Sequence, residues 1–189
     1  MHDFVTGRAA SGILHLLNQT PIDWFSKRQA TVETATYGSE LVCARQAVDQ
    51  IIDLRITLRS LGVPLDGPSW LFGDNQSVVT SSTIPHSNLS KRHNALAYHR
   101  VREACAGSIV NFTHISTKQN VSDVMTKFLP FYVWRPLVDP LLFRSGDTCP
   151  KDLVVDSGTK DRPSEKVYGI RYTVMRSVMQ DMNPGIQIA

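Results

Sequence analysis

Cysteine is scarce in this sequence, and its scarcity excludes a whole class of small scaffolds. Three cysteines, Cys43, Cys105 and Cys149, are too few and too scattered along 189 residues for a disulfide framework. No paired Cys or Cys/His spacing marks a structural zinc site, so all three read as reduced bystanders. Long apolar runs are missing as well. None approaches the length of a membrane span, and the N-terminus has no basic segment followed by an apolar core, which argues against insertion and export. Charge of one sign is not in excess either: 20 basic against 17 acidic side chains leave a net charge of +3. That balance permits a nucleic-acid partner without requiring one, so clustering has to decide. No serine nucleophile sits in a glycine-flanked elbow with histidine and aspartate partners, so a covalent hydrolase finds no support.

What is present is an ordinary globular composition, 42% hydrophobic and 20% charged, in a chain long enough for one well-buried domain and an appendage. Two short apolar runs, "SGILHLLN" (11–18) and "PIDWFSKR" (21–28), are separated by Gln19 and Thr20 and read as antiparallel strands. Helical spacing follows over 36–61, with Cys43, Ala47, Ile51, Leu54, Leu58 and Leu61 on one side. Thr34 or Thr36 can cap its start, and Gly62 and Pro64 end it. "WLFGDN" is a short strand, 81–90 a Ser/Thr/Pro-rich linker, 93–106 a second long helix, and 108–116 another strand. Asn120 then opens a short helix, "VSDVMTKFL". Strand, strand, helix, strand, helix, strand, helix is an α/β order whose later crossovers suit parallel pairing. Beyond Pro130, Pro136 and Pro140 predict a bent packing segment over 131–144. Residues 145–189 read as a polar, poorly ordered tail with one possible helix at 167–182.

Three carboxylates stand at element ends. Continuing the apolar spacing back from Cys43 and Ala47 lands on Glu40, a charged residue at a core-facing position near a helix start. Taken alone, it is explained more simply by the helix dipole than by a bound cation. Asp74 ends the apolar strand and can be either the N-cap of the helix after it or a metal ligand. Asp123, three residues after Asn120, occupies a capping-box position. In an open α/β sheet, strand ends and helix starts gather at one edge. Carboxylates meeting there repel unless cations lie between them, and hard divalent ions such as magnesium suit that role and phosphodiester hydrolysis. Two ions roughly 4 Å apart need about four acidic ligands, one more than these three.

Taken together, "PIDWFSKRQATVETATYGSEL", "GDNQSVV", "KRHNALAYHRVRE" and "NVSDVMTK" resemble, in order and spacing, the RNase H domain of a copia-type retrotransposon polyprotein over residues 6–144. The resemblance implies an RNase H-like mixed sheet flanked by helices over 1–130. It implies Glu40, Asp74 and Asp123 as catalytic and metal-binding carboxylates, two Mg²⁺ (or Mn²⁺) ions as cofactor, and cleavage of RNA in RNA–DNA hybrids during reverse transcription. The expected partners are the hybrid and the reverse transcriptase domain of the same polyprotein, with no membrane. The expected location is intracellular, cytoplasmic in a virus-like particle or nuclear. Family members carry a first catalytic aspartate on an opening strand at the centre of the sheet. That strand would lie ahead of Met1, and Asp3 is a poor substitute. The expectation is therefore a sheet lacking its central strand and little or no activity in this chain. The alternative is a non-catalytic remnant that at most binds nucleic acid or reverse transcriptase.

On the substrate side, Lys27, Arg28, Lys91, Arg92 and His93 form the clearest basic clusters, continued by His99, Arg100 and Arg102. Closely spaced phosphates favour such clusters, and binding through them falls steeply with salt. Asn75 and Gln76 are placed to meet a minor groove if Asp74 faces the metals. A solvated helix face accounts equally well for Arg100 and Arg102. Tyr98 and Trp24 read as core or sheet-face residues, and His114 as a packed or surface histidine.

Overall fold

A computed structural model describes residues 8–18, 20–33, 35–89 and 92–142 with their side chains, together with the backbone of residues 170–178. The first strand, β1 (Ala10–Leu17), is buried along almost its whole length, which requires cover on both faces. Its neighbour β2 (Thr20–Arg28) is mostly exposed and forms an edge, where Pro21 is tolerated because no further strand needs its N–H. Trp24 is 68% exposed on this edge strand. β3 (Ser69–Gly73) and β4 (Val110–His114) pair in parallel.

Between β1 and β3 runs a fifth strand, β5 (Ile170–Val178), giving the order β2-β1-β5-β3-β4. β5 is antiparallel to β1, with Leu14 opposite Val174, and parallel to β3, with Leu71 opposite Thr173. Two sequence expectations fall here. The segment expected as a helix at 167–182 contains a strand. The sheet expected to lack its central member is filled at its centre, by a segment from near the C-terminus. The apolar and β-branched content of "IRYTVMRSV" is compatible with either element, and two open strand edges to pair with decide for the strand. The rest of the expected tail, 145–169 and 179–189, lies outside the described residues.

The pleat sorts β1 into two sets. Ile13 joins Leu41, Cys43, Ala44, Ala47, Val48, Ile51, Leu71, Val101 and Phe112 in the larger core, while Leu14 and Leu16 join Phe72, Ile115 and Val121 in the smaller one. The larger core lies under three helices: α1 (Thr36–Ser60), α2 (Gln76–Thr83) and α3 (Ala95–Ala106). The smaller lies under the 3₁₀ helix Val121–Met125, the form taken by the short helix expected after Asn120. Here the Asn120 side chain accepts from the Ser122 N–H at 3.2 Å and the Ser122 hydroxyl at 2.7 Å. A last helix, α4 (Phe131–Val138), contains Pro136 and passes into a 3₁₀ turn at Asp139–Leu141 that carries Pro140. The result is a mixed α/β sheet covered on both faces.

Candidate functional site

Glu40 lies in the second turn of α1 and is 2% exposed, in line with the buried Cys43, Ala47 and Ile51. Neither proposed threonine starts the helix as its N-cap. Ala35 stands at that position with extended backbone and no capping side chain, and Thr34 lies outside the described residues. Glu33, also buried, approaches the helix start instead: a methyl group added at Gly38 would meet its carboxylate Oε2. The Glu33 Oε2 also lies 3.1 Å from His93 Nε2.

Asp74 follows the last residue of β3, and the structure resolves one of its two readings. The N-cap of α2 is the next residue, Asn75, whose Oδ1 accepts from the Ser77 N–H at 3.1 Å and the Val78 N–H at 3.3 Å. Asp74 is thus not the capping residue. Its Oδ2 accepts from the Thr117 hydroxyl at 3.3 Å.

Asp123 sits in the 3₁₀ helix on the opposite face of the sheet from α1, 4% exposed, with Lys127 Nζ 3.0 Å from its Oδ2. Burial pushes its carboxyl above the ordinary aspartate value, and the Lys127 ammonium offsets part of that rise. The ionised form therefore costs folding energy. Stability from the protonated form is present at low pH and is lost as pH rises through the raised pKa.

Register and the contacts of Gly12 bring Asp74 and the elements carrying Glu40 and Asp123 to one end of the sheet. Gly12 of β1 pairs with Arg176 of β5, and Gly73, next to Asp74, pairs with Met175. The Gly12 carbonyl faces the Cys43 thiol of α1 at 3.9 Å, one turn from Glu40. On its other side, a methyl at Gly12 would touch Ser122, Met125 and Thr126, the neighbours of Asp123. Gly12 is the crossing point at which α1 and the 3₁₀ helix both reach the strand. Sequence reasoning passed over it, although a glycine inside an apolar strand is a signal of close approach. Lys127 was missed too, although its i+4 spacing from Asp123 was visible. Sharing an end is not the same as sharing an ion: among the described residues, no group of three or more His, Cys, Asp or Glu side chains is arranged to hold a metal.

The basic residues divide. Lys27 and Arg28, both exposed, close β2 opposite Ser11 and Ala10, at the same end as the carboxylates. Ser26 beside them donates to the Met125 carbonyl at 2.6 Å, tying β2 to the 3₁₀ helix. Arg92 and His93 are exposed just before α3, His93 against Glu33. Gln76 is exposed, with its amide 3.2 Å from the Thr80 hydroxyl. Arg102, one of the expected phosphate contacts, is engaged within the protein. It donates to the carbonyls of Ser81 and Ile84 at 2.8 Å and of Pro85 at 2.9 Å, and to Ser87 Oγ at 2.6 Å, while stacking on Tyr98. Arg100 pairs with Asp49 and Glu103. His99 is exposed on α3, edge-on to Tyr98, and Lys91 lies outside the described residues.

Sequence comparison gives this geometry a context. No protein-family model and no solved structure matches the chain. Similarity is found to copia-type Pol polyproteins of plant transposons. Over 128 residues, 68% of this chain and 10% of the relative, the chain is 27% identical to the retrovirus-related Pol polyprotein from transposon TNT 1-94 of Nicotiana tabacum. Two Arabidopsis thaliana polyproteins, from transposons RE2 and RE1, are 25% and 24% identical over 119 residues, 63% of this chain and 8% of each relative. The matched region is therefore a tenth or less of these relatives, and the similarity points to a retroelement-derived domain.

Proposed function

We propose that this chain is an RNase H-like domain of a copia-type retroelement that binds RNA–DNA hybrid at the Gly12–Asp74 end of its sheet. The observation that carries this reading is the convergence on one sheet end of Asp74, the helix bearing Glu40, the 3₁₀ helix bearing Asp123, and the exposed pair Lys27–Arg28. Lys27 and Arg28 meet phosphates, with Arg92 and His93 extending the track around the start of α1. Gln76, together with the amide nitrogen of Asn75, is the group offered to a minor groove.

In kind, the donor set suits a hard cation: Glu40, Asp74 and Asp123 offer carboxylate oxygens, and magnesium bound to them would activate water and stabilise a leaving oxygen. In arrangement, it does not form a ready-made three-ligand site. Asp123 is ion-paired with Lys127, so a cation there competes with an ammonium already in place. That arrangement favours the second reading, in which the domain binds hybrid with little or no cleavage.

The test is a gel-shift and cleavage assay on a labelled RNA–DNA hybrid, with duplex DNA as competitor. Magnesium is varied, and Glu40→Gln, Asp74→Asn and Asp123→Asn are compared with the parent chain. Hybrid binding that weakens steeply with salt is expected, with any cleavage lost in all three variants. Absence of binding sinks the proposal, and cleavage that survives Asp74→Asn sinks the site.

A further inference from the structure

We infer that the centre of the sheet is a strand-accepting site, filled within one molecule by residues 170–178 and able to take the same segment from a second copy. β1, β2, β3 and β4 lie within residues 10–114, and the two described hydrophobic clusters draw their members from residues 13–141. β5 enters from far outside that stretch, separated from Leu142 by the 27 residues 143–169. It takes the middle of the sheet rather than an edge, pairing with β1 from Ala10–Val178 to Leu17–Ile170 and with β3 from Trp70–Tyr172 to Gly73–Met175. Removing it would leave two facing unpaired edges, about two strand spacings, roughly 10 Å, apart. A gap of that width fits one extended backbone and nothing thicker.

What holds β5 is therefore a backbone ladder on each side, which an identical segment of another molecule supplies equally well. Exchange between copies preserves every contact, so its extent is governed by the tether. Twenty-seven residues span at most about 90 Å, so within one molecule the segment is held nearer to the gap than the same segment of a dilute second copy. Single molecules should dominate in dilute solution, and exchanged dimers should appear on refolding at high concentration. The inserted strand also selects the residue at the carboxylate end of the sheet. Arg176 follows Met175 as Asp74 follows Gly73, so this insert brings an arginine, not an acid, to the position level with Asp74.

Disulfide trapping in the full chain tests both parts. Adjacent antiparallel pairs alternate between wide and narrow, and one of them brings the Cα atoms to about 4.5 Å, within disulfide range. Two double variants, Leu14→Cys with Val174→Cys and Ile13→Cys with Met175→Cys, cover both cases, and Leu14→Cys with Met175→Cys is the out-of-register control. Products are identified by mass spectrometry, because Cys43, Cys105 and Cys149 remain. At least one in-register pair should cross-link about tenfold more completely than the control; equal yields refute the central placement. For exchange, the two single variants of whichever pair cross-links within the chain, Leu14→Cys and Val174→Cys or Ile13→Cys and Met175→Cys, are given different tags and refolded together. A disulfide-linked heterodimer between the paired positions is expected. Its yield should rise with protein concentration and fall when a synthetic peptide of residues 168–180 is added in excess. In-register cross-linking within single chains, with no heterodimer at any refolding concentration, would refute the exchange.

Discussion

Replacing Gly12 by alanine should loosen a place where both layers of the molecule press on the same strand. An added methyl would lie 2.6 Å from Thr126 Cγ2, 2.9 Å from the Ser122 carbonyl oxygen and 3.0 Å from Met125 Cβ. The threonine methyl can rotate away. The carbonyl belongs to the backbone of the 3₁₀ helix, which must itself shift by several tenths of an ångström. Overpacking of this kind costs about 1–3 kcal/mol. At about 2–4 °C per kcal/mol for a chain of this size, the expected loss in Tm is about 2–12 °C. Gly107→Ala is the matched control. Its nearest contact is the Glu103 carbonyl at 3.2 Å, its φ of −77° is open to alanine, and the expected change is under about 1 kcal/mol. Thermal unfolding followed by circular dichroism reads both. Gly12→Ala unfolding within about 1 °C of the parent would show that the 3₁₀ helix does not press on β1 here, and the placement of Asp123 at this end would fall with it.

Three further outcomes follow from particular contacts. Arg102→Ala should lower stability by about 2 kcal/mol, because four acceptors in the 81–87 loop lose a charged donor, while the salt dependence of hybrid binding stays unchanged. A salt slope reduced by about one would return Arg102 to the phosphate track. His15 is fully buried with its Nε2 2.9 Å from Gln50 Oε1, and burial lowers its pKa below 6.5. The unfolded chain then binds the proton more readily, so the stability due to neutral His15 is full above pH 6.5 and is lost as pH falls towards the lowered value. His15→Gln should flatten that part of a denaturation-versus-pH curve, and an unchanged slope would contradict the burial argument. Thr173→Pro should cost at least about 1–3 kcal/mol, since a residue paired with His15 on one side and Leu71 on the other has no solvent-facing N–H to give up. An unchanged urea midpoint would show that residues 170–178 do not pair at the centre of the sheet.

Local signals made much of the scaffold legible. The expected helix over 36–61 and strand pair at 11–18 and 21–28 match Thr36–Ser60, Ala10–Leu17 and Thr20–Arg28 because burial and local pattern agree there. The buried position of Glu40 followed from the spacing of Cys43 and Ala47 alone. β5 was not legible, because its strand form depends on two partner edges more than fifty residues away in sequence, and its own pattern is ambiguous. The choice between Asp74 and Asn75 as helix cap was equally closed to sequence, since both residue types cap well and only backbone geometry separates them. The loop contacts of Arg102 were closed to sequence for a related reason. A guanidinium on a helix surface is drawn to any set of bare carbonyls, and the loop that supplies them folds back only in three dimensions.

The central claim of the proposal is that the Gly12 end of the sheet, where Lys27, Arg28, Asp74 and the elements bearing Glu40 and Asp123 meet, binds RNA–DNA hybrid. Titration of labelled hybrid with the full chain at several salt concentrations, repeated with the double variant Lys27→Ala and Arg28→Ala, tests it most directly. The account predicts saturable binding that falls steeply with salt, with a salt slope reduced by about two in the double variant. Absence of binding, or an unchanged slope in the double variant, would contradict it.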